Sequence, residues 1–113
     1  MLTIDSLRQF GANVSEGLGR CMNNEAFYLR LVRLSLADGN FDKLLRAAEQ
    51  NDLDAAFEAS HALKGVLANL ALTPMSVPAG ELCEALRTRT PADYVPEARR
   101  LLELRDQLKA MDT

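Results

Sequence analysis

Apolar residues recur along this chain at helical spacing, and strand-like alternation of apolar and polar positions is absent. Two short stretches, Thr3 to Phe10 and Ser15 to Cys21, read as brief helices broken by Gly11 and Asn13. Asn23 or Asn24 then caps a longer helix that runs to about Asp38 and stops at Gly39. Its stripe is Phe27, Leu31 and Leu34. Tyr28, Leu29, Val32 and Leu36 widen that stripe until most of the helix is predicted to be buried, with Arg30 and Arg33 outside. Asn40 opens a shorter helix carrying Phe41, Leu44, Leu45 and Ala48, which ends near Asn51, and Asp52 caps the next one, which runs to about Leu70. Thr73-Pro74 and Thr90-Pro91 each set a capping hydroxyl before a proline, a helix start signal. The stripes that follow are Met75, Ala79, Leu82 and Leu86, and then Tyr94, Ala98, Leu101, Leu104, Leu108 and Met111. Pro78 and Pro96 each remove a backbone donor early in these helices. They predict a kinked or irregular start to the first, and regular helix in the second only from Pro96.

Four long amphipathic helices with short connections predict an all-α, antiparallel up-down four-helix bundle. The short N-terminal helices and the short helix after Gly39 are expected to pack around it. At 113 residues, with no repeat or low-complexity segment, the chain reads as a single domain over residues 1–113.

Composition narrows the function. No apolar run approaches the ~20 residues of a membrane span. The N-terminal MLTIDSLRQF carries Asp5 and Arg8 and lacks the apolar core of a secretory signal, so a cytoplasmic protein without a membrane partner is expected. A net charge of −3 with scattered Lys and Arg argues against a nucleic-acid partner. Cys21 and Cys83 stand apart, with no CxxC and a single histidine, so no metal site is expected and both read as buried, reduced thiols.

The single histidine, His61, lies mid-helix in HALKGVLANLAL. At about 100° per residue, Ala56, Ala59, Ser60, Leu63, Val66, Leu67 and Leu70 gather on the face opposite His61, the core face. Asp54, Phe57, Glu58, Lys64, Gly65 and Ala68 share the face of His61, which is therefore predicted to point outward. A solvated surface histidine would need nothing more. Here, however, Lys64 places an ammonium one turn away, Gly65 and Ala68 leave the backbone bare, and Phe57 is expected as an exposed aromatic anchor for a partner, with Glu58 beside it as a docking position. Asp54 and Glu58 are isolated helix acids rather than a metal cluster. A neutral imidazole is a nucleophile near pH 7. If it accepts a phosphoryl group, a nearby ammonium stabilises the added charge, and a glycine lets the donor approach. That accounts for a glycine that costs the helix about 1 kcal/mol relative to alanine.

His61, Lys64 and Gly65 in H-x-L-K-G resemble the signature of the histidine-phosphotransfer (HPt) domain family, with lysine at +3 and glycine at +4 from the phosphorylated histidine. The helical layout on both sides is similar too. The resemblance implies a four-helix bundle in which His61 carries phosphate between aspartates of response-regulator receiver domains. It implies Lys64 as the charge-stabilising residue and Gly65, with Ala68, as the access gap. It further implies a hybrid sensor histidine kinase in the relay and a monomer, since the family's bundle is complete within one chain. Val66 and Leu67 stand where small or polar residues are common, Ala71 stands where a glycine is often found, and Pro78 is unusual for the family.

Other classes fit less well. A phosphoryl-transfer enzyme needs a nucleotide cradle and metal-binding carboxylates, and no GxxxxGK[ST] or Gly-rich loop is present, so a phosphocarrier without a cofactor is expected, its partners supplying Mg²⁺ and catalytic groups. The dimerisation helices of a sensor kinase carry H-E-x-x-[TN]-P, but Ala62 follows His61 and no proline stands at +5. A haem bundle with a His and a Met ligand lacks CxxCH and would need an inward histidine. A helical adaptor that binds a receiver or kinase domain without transferring phosphate shares the same docking face and is the alternative reading.

Overall fold

The structure is a computed structural model that describes residues 1–112. These form seven helices: α1 (Ile4–Phe10), α2 (Val14–Arg20), α3 (Glu25–Leu36), α4 (Asn40–Glu49), α5 (Leu53–Asn69), α6 (Thr73–Arg87) and α7 (Val95–Ala110). The described residues contain no strand. Caps account for most boundaries. Thr3, Asn13, Asn24 and Asp52 each accept a backbone N–H in the first turn of the helix that follows. Gly11, at φ +104°, closes α1 in the left-handed conformation that glycine adopts without strain.

Helices α4 to α7 pack in a closed ring, each against its neighbours, and this ring is the four-helix bundle. The sequence placed the longer α3 in the bundle and the ten-residue α4 outside it; the structure reverses these roles. The reason lies in how cleanly each helix separates its faces. Phe41, Leu44 and Ala47 of α4 all reach the core. In α3 only Tyr28, Val32, Ser35 and Leu36 are buried, whereas Phe27 and Leu34 of the expected stripe are exposed. A helix that leans on α7 and α2 from outside has one side to bury. Arg33, also expected outside, is half-buried. Its Nε donates to Asp112 at 3.2 Å, and Asp112 in turn accepts the Leu2 N–H at 2.6 Å, so both ends of the chain are clamped to α3. The Leu2 N–H, with help from Arg33, holds the Asp112 carboxyl below the usual carboxylate range.

Two start signals resolve differently from expectation. Leu72, not Thr73, caps α6, and the Thr73 hydroxyl turns back to the Ala71 carbonyl. Pro74 then sits in the first turn, where its missing N–H has no intrahelical partner to lose. The helix continues through Pro78 as one element. Thr90-Pro91 starts no helix: α7 begins at Val95, next to the expected Pro96, and the Tyr94 hydroxyl donates to the Thr90 and Ala85 carbonyls to hold the connection.

The N-terminal segments, which meet the bundle at α7, also reach the turn from α5 to α6. Ala71 adopts φ +56°, a left-handed conformation strained for a residue with a Cβ. The last turn of α5 leaves carbonyls without intrahelical partners. Arg20 of α2 donates to the Ala68 carbonyl, the buried Tyr28 hydroxyl of α3 donates to Leu70 at 2.7 Å, and the Asn13 N–H donates to Ala71 at 2.9 Å. Tyr28 fits because Gly17 of α2 lacks a side chain: a Cβ there would stand 2.4 Å from the phenol oxygen.

Two consequences can be measured. Burial, reinforced by electrostatic repulsion from Cys21, pushes the Tyr28 phenol up to about 12. In the unfolded chain it ionises near pH 10. Between these values only the unfolded state has lost the proton, so stability should be full below about pH 10 and fall as the pH rises toward 12. Chemical denaturation across that window should show a steeper decline for the wild type than for Tyr28→Phe. Separately, Ala71→Gly relieves roughly 1–2 kcal/mol of left-handed strain and loses at most about 0.8 kcal/mol of buried methyl. A net gain of about 0.5 kcal/mol should appear as a higher denaturation midpoint.

Candidate functional site

Helix α5 is rich in alanine, the strongest helix former, and Asp52 caps it by accepting the Ala55 N–H at 3.1 Å. Its inner face holds Ala56, Ala59, Ser60, Leu63, Leu67 and Leu70, all buried as expected. Val66 is half-buried, in a shallow groove against Leu31 and Leu34 of α3, rather than fully in the core. His61 stands at the midpoint of the seventeen-residue helix and is exposed, as are Glu58, Lys64, Gly65 and Ala68.

Phe57 differs from expectation. It is half-buried, packs against the core and stacks on the His61 ring, with centroids 5.7 Å apart and planes 17° from parallel. The i, i+4 spacing brings the two rings together, and the apolar neighbour available to Phe57 is the edge of the core. It is thus a wall for the imidazole rather than a free-standing anchor. Asp54 is exposed and pairs with Arg89, which follows α6, while Glu58 keeps an exposed position on the same side.

Helix α6 supplies the other wall. The α5–α6 hairpin is centred on Leu72, so residues equidistant from it face each other. His61 meets Cys83, whose Sγ lies 3.9 Å from Nδ1. Lys64 meets Gly80, where an added Cβ would stand 3.6 Å from Lys64 Cδ. The lysine stem therefore lies along a strip of bare α6 backbone. Among the described residues no carboxylate pairs with Lys64. Next to His61, an ideal Cβ at Gly65 meets nothing within 4 Å. Farther along, the Ala68 side chain is exposed while its carbonyl is occupied by Arg20. That guanidinium lies at the C-terminal end of α5, whose own last turn holds no basic residue, and so complements the helix dipole.

A family model, the Hpt domain, matches residues 30–113. The chain belongs to the Hpt domain family. No curated protein and no solved structure matches it. Hpt domains are phosphocarriers rather than conventional enzymes. They interact with receiver domains and kinases in phosphorelays, and the role of this chain is accordingly phosphotransfer in two-component signalling. The Hpt match begins inside α3, so the partners that Arg20 and Asn13 contribute to the end of α5 lie outside it. Among the described residues no helix is long and apolar enough to cross a membrane.

Reading the α5 face by itself places His61, Lys64, Gly65 and Ala68 together in the open, and misses their neighbours Cys83, Gly80 and Arg20. Reflecting the chain about the short α5–α6 connection would have found the first two. Nothing local marks Arg20, which reaches Ala68 from 48 residues away.

Proposed function

We propose that His61 accepts a phosphoryl group from the aspartyl phosphate of a receiver domain and passes it to a second receiver, with a hybrid sensor histidine kinase upstream. The observation that carries this reading is the combination, at the midpoint of α5, of an exposed imidazole, an open Gly65 and a Lys64 with no carboxylate partner among the described residues. Lys64 stabilises the charge that arrives with the phosphoryl group, as a point charge on a flexible stem. Gly65 and Ala68 admit the partner's active-site loops. Phe57 orients the imidazole from below and, with Glu58, borders the docking face. The chain has no nucleotide-binding motif, so the partners supply Mg²⁺ and the catalytic groups. In this reading residues 1–113 act as one cytoplasmic, monomeric module, in which α1 to α3 brace the histidine helix.

Incubation of the purified chain with a phosphorylated receiver separates a carrier from a non-transferring adaptor: a carrier acquires acid-labile phosphate and depletes the donor, whereas an adaptor binds without taking it up. His61→Gln should abolish that label while leaving the helical signal intact. Undiminished label on the variant would exclude His61 as acceptor.

Gly65→Gln should preserve or raise the melting temperature, because a glycine in a helix interior is roughly 0.5–1 kcal/mol less favourable than alanine. Its side chain would enter the open space beside His61. Transfer depends on in-line geometry, in which a displacement of ~1 Å costs on the order of 10²-fold, so the transfer rate should fall steeply. A stable variant with wild-type kinetics would remove the access role.

A further inference from the structure

The His61 ring is held on two sides by chemically different neighbours. Phe57 covers one face, which fixes the plane of the imidazole. Cys83, buried in α6, meets one edge at Nδ1. A thiol sulfur is a weak acceptor and its S–H a weak donor. The two ring nitrogens of a neutral histidine are distinct, and the partner of one decides the state of the other. Because Nδ1 faces a buried sulfur, Nε2 is the nitrogen left for an incoming group.

We propose that Cys83 is a positioning residue for phosphotransfer: its sulfur accepts the Nδ1–H of His61 and so selects the tautomer whose lone pair is on Nε2. This rests on the phosphocarrier reading of His61. In the step itself the Nε2 lone pair forms the new N–P bond, and the P–O bond to the donor aspartate breaks with its electron pair leaving on the carboxylate. The Nδ1 proton stays in place, and the positive charge spread over the ring makes that N–H a stronger donor toward Cys83. The separation of 3.9 Å is long for such a contact. Hydrogen bonds at a site without its partner are commonly loose and tighten when the reacting complex forms. Gly80, one turn before Cys83, leaves the neighbouring part of α6 bare for the Lys64 stem, so the same helix face positions both groups of the site.

The opposite tautomer would present a protonated Nε2 and be inert. The transfer rate should therefore scale with the population of the Nδ1–H form. The test uses the full chain with ¹⁵N-labelled histidine at a pH where the ring is neutral. Two-bond ¹H–¹⁵N correlations report the tautomer in wild type, Cys83→Ala and Cys83→Ser, and transfer from a phosphorylated receiver is timed for each. We expect the Nδ1–H form to predominate in the wild type, to fall in Cys83→Ala, and to be restored at least in part by Cys83→Ser, whose hydroxyl also accepts. The rate in Cys83→Ala should fall by the same factor as the Nδ1–H population. A purely structural cysteine would lower the melting temperature of Cys83→Ala without moving the tautomer ratio. An unchanged ratio, or a changed ratio with an unchanged rate, overturns the proposal. The tautomer measurement needs no partner domain. It still decides the Cys83–His61 bond if the wild-type chain takes up no phosphate, an outcome that would count against the phosphocarrier reading instead.

Discussion

The reversal between α5 and α6 is the constraint on which the rest of the structure depends. A strained left-handed Ala71 turns the chain back on itself, and the position of that turn sets which residues of α6 face His61 and Lys64. The end of α5 cannot be left with bare carbonyls in a packed interior. The N–H groups of Leu70, Ala71 and Leu72 serve some of them, and further partners come from α2, α3 and the link between α1 and α2, through Arg20, Tyr28 and the Asn13 backbone. The N-terminal third is thus a brace for the histidine helix. The phenol of Tyr28 and the absent side chain of Gly17 form one fitted contact within it.

A helix that displays at its midpoint the side chain proposed to react must satisfy two opposed demands. Its inner face has to be apolar enough to hold it in the bundle, and its outer face has to be bare enough for a second protein to approach. Helix α5 meets the first with leucine and alanine, and the second with Gly65 and Ala68. The glycine weakens the helix locally, and continuous packing against α4 and α6 offsets that loss. The half-buried Phe57 links the two demands: it packs against the core and also stacks on the His61 ring.

The electrostatics around the site are similarly divided. Asp54 is engaged by Arg89 and Glu16 by Arg20, which leaves Lys64 as the cation beside His61 with no carboxylate partner among the described residues. An exposed ammonium is screened by water, so its contribution is modest while the site is open. In the proposed transfer, docking of a partner would exclude that water and strengthen the interaction of Lys64 with the arriving phosphoryl charge.

Periodicity in the sequence determined the helical class, most helix boundaries to within a residue or two, and the outward position of His61 with Lys64, Gly65 and Ala68, because those features depend on residues a turn or two apart. The H-x-L-K-G spacing and its resemblance pointed to the family that the Hpt match over residues 30–113 establishes. Tertiary structure alone decided which four helices close the ring. Helix length favoured α3 over α4, but burial depends on how sharply apolar and polar residues separate and on what lies opposite. It also decided that Phe57 packs against His61, that Thr90-Pro91 opens no helix, and that Cys83 and Gly80 line the site. Each of these depends on a surface contributed by another part of the chain, and a one-dimensional pattern does not carry the register between helices that brings such surfaces together.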